Sequence, residues 1–84
     1  MLQDSENMMP PIKAYSKTEI CYLLVDPRAN IAAPTGRKLP TQKLKKMIIA
    51  ENMLVELGID GEVAYDNIRY FSPMQSELIL RRLL

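Results

Sequence analysis

Apolar positions along the chain fall at helical spacing in three stretches, separated by two that break the pattern. In the first, Ser16-Lys17-Thr18-Glu19 has the spacing of a capping box, in which the Ser16 hydroxyl takes the third helical amide and Glu19 reaches back to the Ser16 amide. Tyr15 and Ile20 occupy the two staple positions, and Ile20, Leu23 and Leu24 share one face. A helix is therefore predicted from Lys17 to about Val25, ended by Asp26-Pro27. From Asp26 to Pro40 the chain carries Pro27, Pro34, Gly36 and Pro40 without periodicity, which predicts a connector that is long for a small domain. Thr41 is placed to cap a second helix in which Leu44, Met47 and Ile48 follow the i, i+3, i+4 rule. Continued straight, that helix would set Glu51 inside its own apolar stripe, so a kink or break is predicted between Ala50 and Asn52. Met53, Leu54 and Leu57 then begin a new face, and Gly58 supplies a left-handed stop.

Glu62 to Phe71 reads as strands. A two-residue turn at Asp66-Asn67 pairs Tyr65 with Ile68 and Val63 with Tyr70, placing four apolar side chains on one face of a small hairpin and Arg69 on the other. Ser72-Pro73, with Gln75 at the capping-box position, starts a last helix from Pro73 to the end that buries Leu78, Ile79 and Leu83. Residues 1–11 contain Pro10-Pro11 and neither period, which predicts a flexible N-terminal arm ahead of a single helical domain over residues 12–84.

Composition removes most enzyme classes. At 84 residues the chain has room for one domain. It contains no His, hence neither the usual general base nor the commonest metal ligand, and its single Cys21 can form neither a Cys zinc site nor an internal disulfide. No nucleophile with a base can be assembled, so the chain is read as no enzyme, with no catalytic residue, metal, cofactor or small-molecule substrate implied. Pro34-Thr35-Gly36-Arg37-Lys38 lacks the spacing of a phosphate loop, and Asp60, Glu62 and Asp66 lack the order of a calcium loop. Cys21, on the first helix, is read as a small buried apolar residue. The N-terminal residues, with Asp4 and Glu6, are unlike a secretory signal, and the longest apolar run, Ile20 to Val25, is far short of a span of about 20 residues. A cytoplasmic protein with no membrane contact is expected.

A net charge of +1 conceals local segregation. Gly36 to Ala50 holds Arg37, Lys38, Lys43, Lys45 and Lys46 with no acid, whereas Glu51 to Ile68 holds Glu51, Glu56, Asp60, Glu62 and Asp66 with no base. On the second helix Gln42, Lys45, Lys46 and Ile49 face away from the apolar stripe, with Lys43 at its edge. Such a face suits double-stranded DNA, with the lysines on phosphate and Gln42 as an adenine reader. Lys38 and Arg69 would be further phosphate contacts, unless Arg69 pairs with Glu62 or Asp66. Arg81 and Arg82 either join them or complement the dipole of the last helix. A Lys-rich face is equally explained as a solvated one, and the pI of 7.8 is below the value of about 9 usual for electrostatic DNA binders. The order helix, basic helix, hairpin, helix is that of a small winged helix-turn-helix-like domain, although a helix-turn-helix joins its helices by only about 3–4 residues. The expected fold class is thus mainly α, with three to four short helices and a small β-hairpin.

The contrary reading is a protein-protein interaction module, a homodimer or a complex with another protein, through an apolar patch of Ile49, Met74, Leu83 and Leu84. Six methionines suit either an adaptable partner surface or gap-filling in a small core, the latter favoured for Met47 and Met53. DNA binding predicts loss of affinity with salt and on Lys45→Glu with Lys46→Glu at unchanged thermal stability; an apolar interface predicts survival in salt and failure on Ile49→Asp.

Tyr15-Ser16-Lys17-Thr18-Glu19-Ile20, Leu44-Lys45-Lys46-Met47-Ile48, Leu57-Gly58 and Arg69-Tyr70-Phe71-Ser72-Pro73-Met74-Gln75, with Leu78-Ile79 and Leu83, form a string that resembles a small uncharacterised family of Bacteroides-type bacteria, a domain of unknown function. The resemblance covers Ile12 to Leu84 and departs at Met47, where the family has Trp, and after the final Leu, where the family has a Gly- and Pro-containing tail. More distantly, the order of elements is similar to the excisionase and MerR-type winged helix-turn-helix domains, which bind DNA. The first resemblance implies a small bacterial helical module and no functional residues.

Overall fold

Two capping boxes fix where the outer helices begin. In the computed structural model, which describes residues 9–84, the Ser16 hydroxyl accepts from the Glu19 amide (3.1 Å) and the Glu19 carboxylate from the Ser16 amide (2.8 Å). Helix α1, Lys17–Val25, starts there and stops at Asp26, burying Ile20, Cys21 and Leu23. The same reciprocal pair recurs between Ser72 and Gln75, at 3.1 and 2.9 Å, and opens α5, Pro73–Leu83, with Pro73 in its first turn. Each cap is worth about 1 kcal/mol. Helix α5 buries Ile79 fully and packs Leu78 and Leu83, half-buried, against the core. Leu80, absent from the expected set, is buried as well, with Ser76, whose hydroxyl donates to the Phe71 carbonyl (3.4 Å).

Helix α2, Thr41–Ala50, buries Leu44 and Ile48 and breaks where Glu51 would have entered the core. Asn52 takes the left-handed conformation (φ 55°, ψ 41°), which Asn tolerates, and α3, Met53–Glu56, follows at once. A Schellman turn closes α3: Gly58 lies at φ 72°, its amide donates to the Val55 carbonyl (3.0 Å) and that of Ile59 to Leu54 (2.9 Å). The start of α2 differs from expectation. Pro40, not Thr41, is the capping residue; Thr41 is the first helical residue, and the Pro40 carbonyl accepts from the amides of Lys43 and Leu44. The connector before it is held by two anchors, Ile31 and Leu39, packed against the core, and by the Leu39 amide donating to the Cys21 carbonyl (3.1 Å).

The hairpin expected over residues 62–71 is replaced by a helix and a distant pairing. Gly61–Asn67 form α4, and the strand pair is antiparallel β1, Tyr15–Ser16, with β2, Tyr70–Phe71, in the register Tyr15 to Phe71 and Ser16 to Tyr70. Read at a period of 3.6, Ala64, Tyr65 and Ile68 share the core side while Glu62, Val63 and Asp66 point out, so the four-residue apolar face does not form: Val63 is 75% and Tyr70 65% exposed. The structure is mainly helical with one small antiparallel strand pair, compatible with a small winged-helix-like domain. Tyr65 and Phe71 meet in the core with ring centroids 6.0 Å apart.

The arm expected over residues 1–11 lies outside the described residues up to residue 8; beyond it Met9 packs on the core and the Pro11 carbonyl accepts from the Tyr15 hydroxyl (2.7 Å). No described helix is long and apolar enough to cross a membrane.

Candidate nucleic-acid interface

Helix α2 turns Leu44 and Ile48 inward, which leaves Gln42, Lys43, Lys46 and Ile49 exposed on its outer side. Lys45 also faces out, but toward α4. Its ammonium lies 2.9 Å and 3.2 Å from the two carboxylate oxygens of Asp66 and 3.6 Å from Glu62. The hydrogen bond to Asp66, aided by the charge of Glu62, raises the Lys45 pKa. The two acids stand one turn apart on α4, so both reach the same lysine. Gln42, Lys45, Lys46, Ile49 and Glu62 line a cleft of about 330 Å³ along this side.

A second cation braces the same helix. Lys17, in the first turn of α1, donates to the Tyr65 carbonyl near the end of α4 (2.6 Å) and lies 4.1 Å above the Tyr65 ring. Burial lowers its pKa, the nearby Asp66 charge opposing and that of Lys45 adding to the effect. Nothing in the sequence pattern marks this role for Lys17, and in a hairpin Glu62 and Asp66 are set against Arg69 rather than Lys45. The signal for the Lys45 contact was present in the i, i+4 spacing of the two acids, which places them on one face only if the segment is helical.

The other cations that the charge pattern singles out divide clearly. Lys38, Lys43, Lys46, Arg37 and Arg69 are exposed, and none forms an ion pair among the described residues; the alternative pairing of Arg69 with Glu62 or Asp66 is not formed. Lys38 is near enough to Cys21 for its charge to oppose the burial that pushes that thiol's pKa up. Arg81 and Arg82 stand in the last turn of α5 and pair with Glu77 (2.9 Å) and Glu56 (2.7 Å). No group of three potential metal ligands occurs among the described residues.

The apolar residues singled out for a partner are not gathered into one patch. Ile49 belongs to the cleft beside α4, whereas Met74, 81% exposed, lines a different groove of about 500 Å³ between α3 and α5, with Leu57 and Leu78 beside it. Leu83 packs on the core and Leu84 is exposed at the end of α5.

One expectation changes with the geometry. Lys45→Glu would set a third carboxylate against Asp66 and Glu62, so the pair Lys45→Glu with Lys46→Glu is no longer expected to leave thermal stability unchanged. Lys43 and Lys46 are the lysines of α2 that form no ion pair with α4. No family model, curated protein or solved structure matches the chain.

Proposed function

We propose that this is a small DNA-binding module with an accessory or regulatory role, of the winged helix-turn-helix kind that its element order resembles. The observation that carries the reading is the run of exposed, unpaired side chains on and before α2: among the described residues Lys38, Lys43 and Lys46 have no acidic partner, and Gln42 stands between them. The lysines meet phosphate and Gln42 a base edge. Arg69, exposed beside β2, is a further phosphate contact. Lys45 is the brace of α4 rather than a groove contact. The single, buried, free Cys21 suits a reducing cytoplasm, and the module is read as non-catalytic.

The test is a fluorescence-anisotropy titration of mixed duplex DNA at about 50 and 200 mM salt. Contacts to phosphate from Lys38, Lys43, Lys46 and Arg69 predict a log–log salt slope near −3.6, or about a 150-fold loss of affinity over that range. Lys43→Glu with Lys46→Glu should abolish binding at unchanged thermal stability. Absence of salt-sensitive binding at the lower salt refutes the reading. A protein-interaction module is the second reading, favoured by the α3–α5 groove with Met74 at its edge; binding of a partner there would survive salt and fail on Met74→Asp.

A further inference from the structure

The basic and acidic runs of the sequence meet in space at Lys45. An ammonium has three donors, and here Asp66 occupies it through both oxygens while Glu62 stands 3.6 Å away. Glu62 and Asp66 are themselves 61% and 55% exposed, so water and salt reach the contact and it can open without unfolding the core. Two carboxylates against one ammonium leave this side of α2 locally negative before Lys46 is counted. A phosphate approaching along the cleft meets the acids of α4 as well as the lysines of α2, whereas one approaching Lys38 and Lys43 meets no paired carboxylate.

We propose that Asp66 and Glu62 are a built-in competitor for nucleic-acid phosphate at Lys45, which hold the cleft side of α2 neutralised, leave Lys46 as the unpaired lysine of the cleft and direct docking of a duplex toward Lys38 and Lys43. The proposal rests on the reading of α2 as a nucleic-acid face and adds its regulation: whatever draws α4 from Lys45 adds a phosphate contact. Nothing covalent is required; one ion pair is exchanged for another.

The experiment is a thermodynamic cycle on the full chain with duplex DNA, by anisotropy at about 50 and 200 mM salt. Its members are wild type, Asp66→Asn with Glu62→Gln, Lys45→Met, and the combination of all three, with Asp66→Asn alone as the milder form and circular dichroism to confirm the fold. Neutralising the acids should steepen the salt slope by about 0.9, so that the loss of affinity between the two salts grows about 3.5-fold. Lys45→Met should change little in the wild type and cancel that steepening in the neutralised background. The cycle matters because removing any two negative charges favours DNA somewhat, and only a dependence on Lys45 marks this contact. Wild-type binding with an unchanged slope in the neutralised variant, or a steepening indifferent to Lys45, overturns the competitor and leaves the DNA reading standing. Binding by the neutralised variant alone would show that the free lysines hold no duplex by themselves, and overturns the proposal that docking is directed to their side. Failure of every member to bind overturns both.

Discussion

Removing one oxygen atom from each of two buried tyrosines should have opposite effects on stability. Tyr65 is 2% exposed, and its hydroxyl has no hydrogen-bond partner among the described residues. Leaving such a group unsatisfied costs about 1–3 kcal/mol, whereas the few dispersion contacts of the oxygen are worth about 0.1–0.2 kcal/mol each. Tyr65→Phe keeps the ring against Phe71, the ring face under Lys17 and the backbone carbonyl that Lys17 bonds. The variant should therefore be neutral or more stable by about 1 kcal/mol, which in a domain of this size is a rise of about 4–8 °C in Tm. Tyr15, 1% exposed, makes the opposite case, since its hydroxyl donates to the Pro11 carbonyl at 2.7 Å. Tyr15→Phe loses that bond and should cost about 0.5–1.5 kcal/mol. Urea and thermal denaturation of the two variants beside wild type measure the difference without any assumption about function. A loss of about 1 kcal/mol or more for Tyr65→Phe would show that its hydroxyl is satisfied, by a water at the least, and would refute the argument.

Burial also pushes the Tyr65 hydroxyl pKa up, the negative charges of an ionised Cys21 and of Asp66 adding to it, so the folded chain holds a proton that the unfolded chain releases near its ordinary value. The contribution of Tyr65 to stability should be level below about pH 10 and fall above it by up to about 1.4 kcal/mol per pH unit, on top of the earlier fall from the buried Cys21 thiol, and urea midpoints should show the slope above pH 10 to be shallower in Tyr65→Phe. A Cβ at Gly58 would meet no atom within 4 Å, but the residue lies at φ 72°; Gly58→Ala should cost about 1–2 kcal/mol from the backbone alone. Gly36→Ala, equally open and without a positive φ, should be neutral by the same denaturation measurement. Ser72→Ala removes the α5 cap and should cost about 1 kcal/mol, with no effect on DNA binding if α2 is the interface.

What could be read in the sequence was local. The caps at Ser16 and Ser72, the break after Ala50 and the stop at Gly58 are each set by neighbours within about five positions, and the structure has all of them. The segment from Glu62 to Phe71 is different because two periods fit it. Period two gives Val63, Tyr65, Ile68 and Tyr70 one face across a turn; period 3.6 gives Ala64, Tyr65 and Ile68 one face of a helix. What decides between them is the partner of Tyr70 and Phe71, which is Tyr15 and Ser16 at the other end of the domain. A two-residue strand carries no signal for a pairing over that separation. The cap of α2 was misplaced for a smaller reason: Thr41 has a capping side chain, but Pro40 already supplies an extended residue whose carbonyl takes the first helical amides.

The helix at 61–67 also determines how the charge segregation should be understood. In a hairpin Glu62 and Asp66 would have lain apart from α2 and left its lysines equivalent; in a helix they stand one turn apart beside it and take one lysine out of the set. A basic run of five therefore presents fewer free cations than its sequence suggests: Arg37 and Lys38 ahead of α2, and Lys43 and Lys46 on it. A near-neutral pI is then compatible with a local phosphate-binding face, because two of the acids that lower it, Glu62 and Asp66, are engaged in fixing α4 to α2, and α4 is in turn held by Lys17. The strength of binding should follow how many cations are free rather than how many are present, so Lys45 and Lys46, adjacent in sequence, should differ in their effect on DNA affinity while only Lys45 affects how α4 is held.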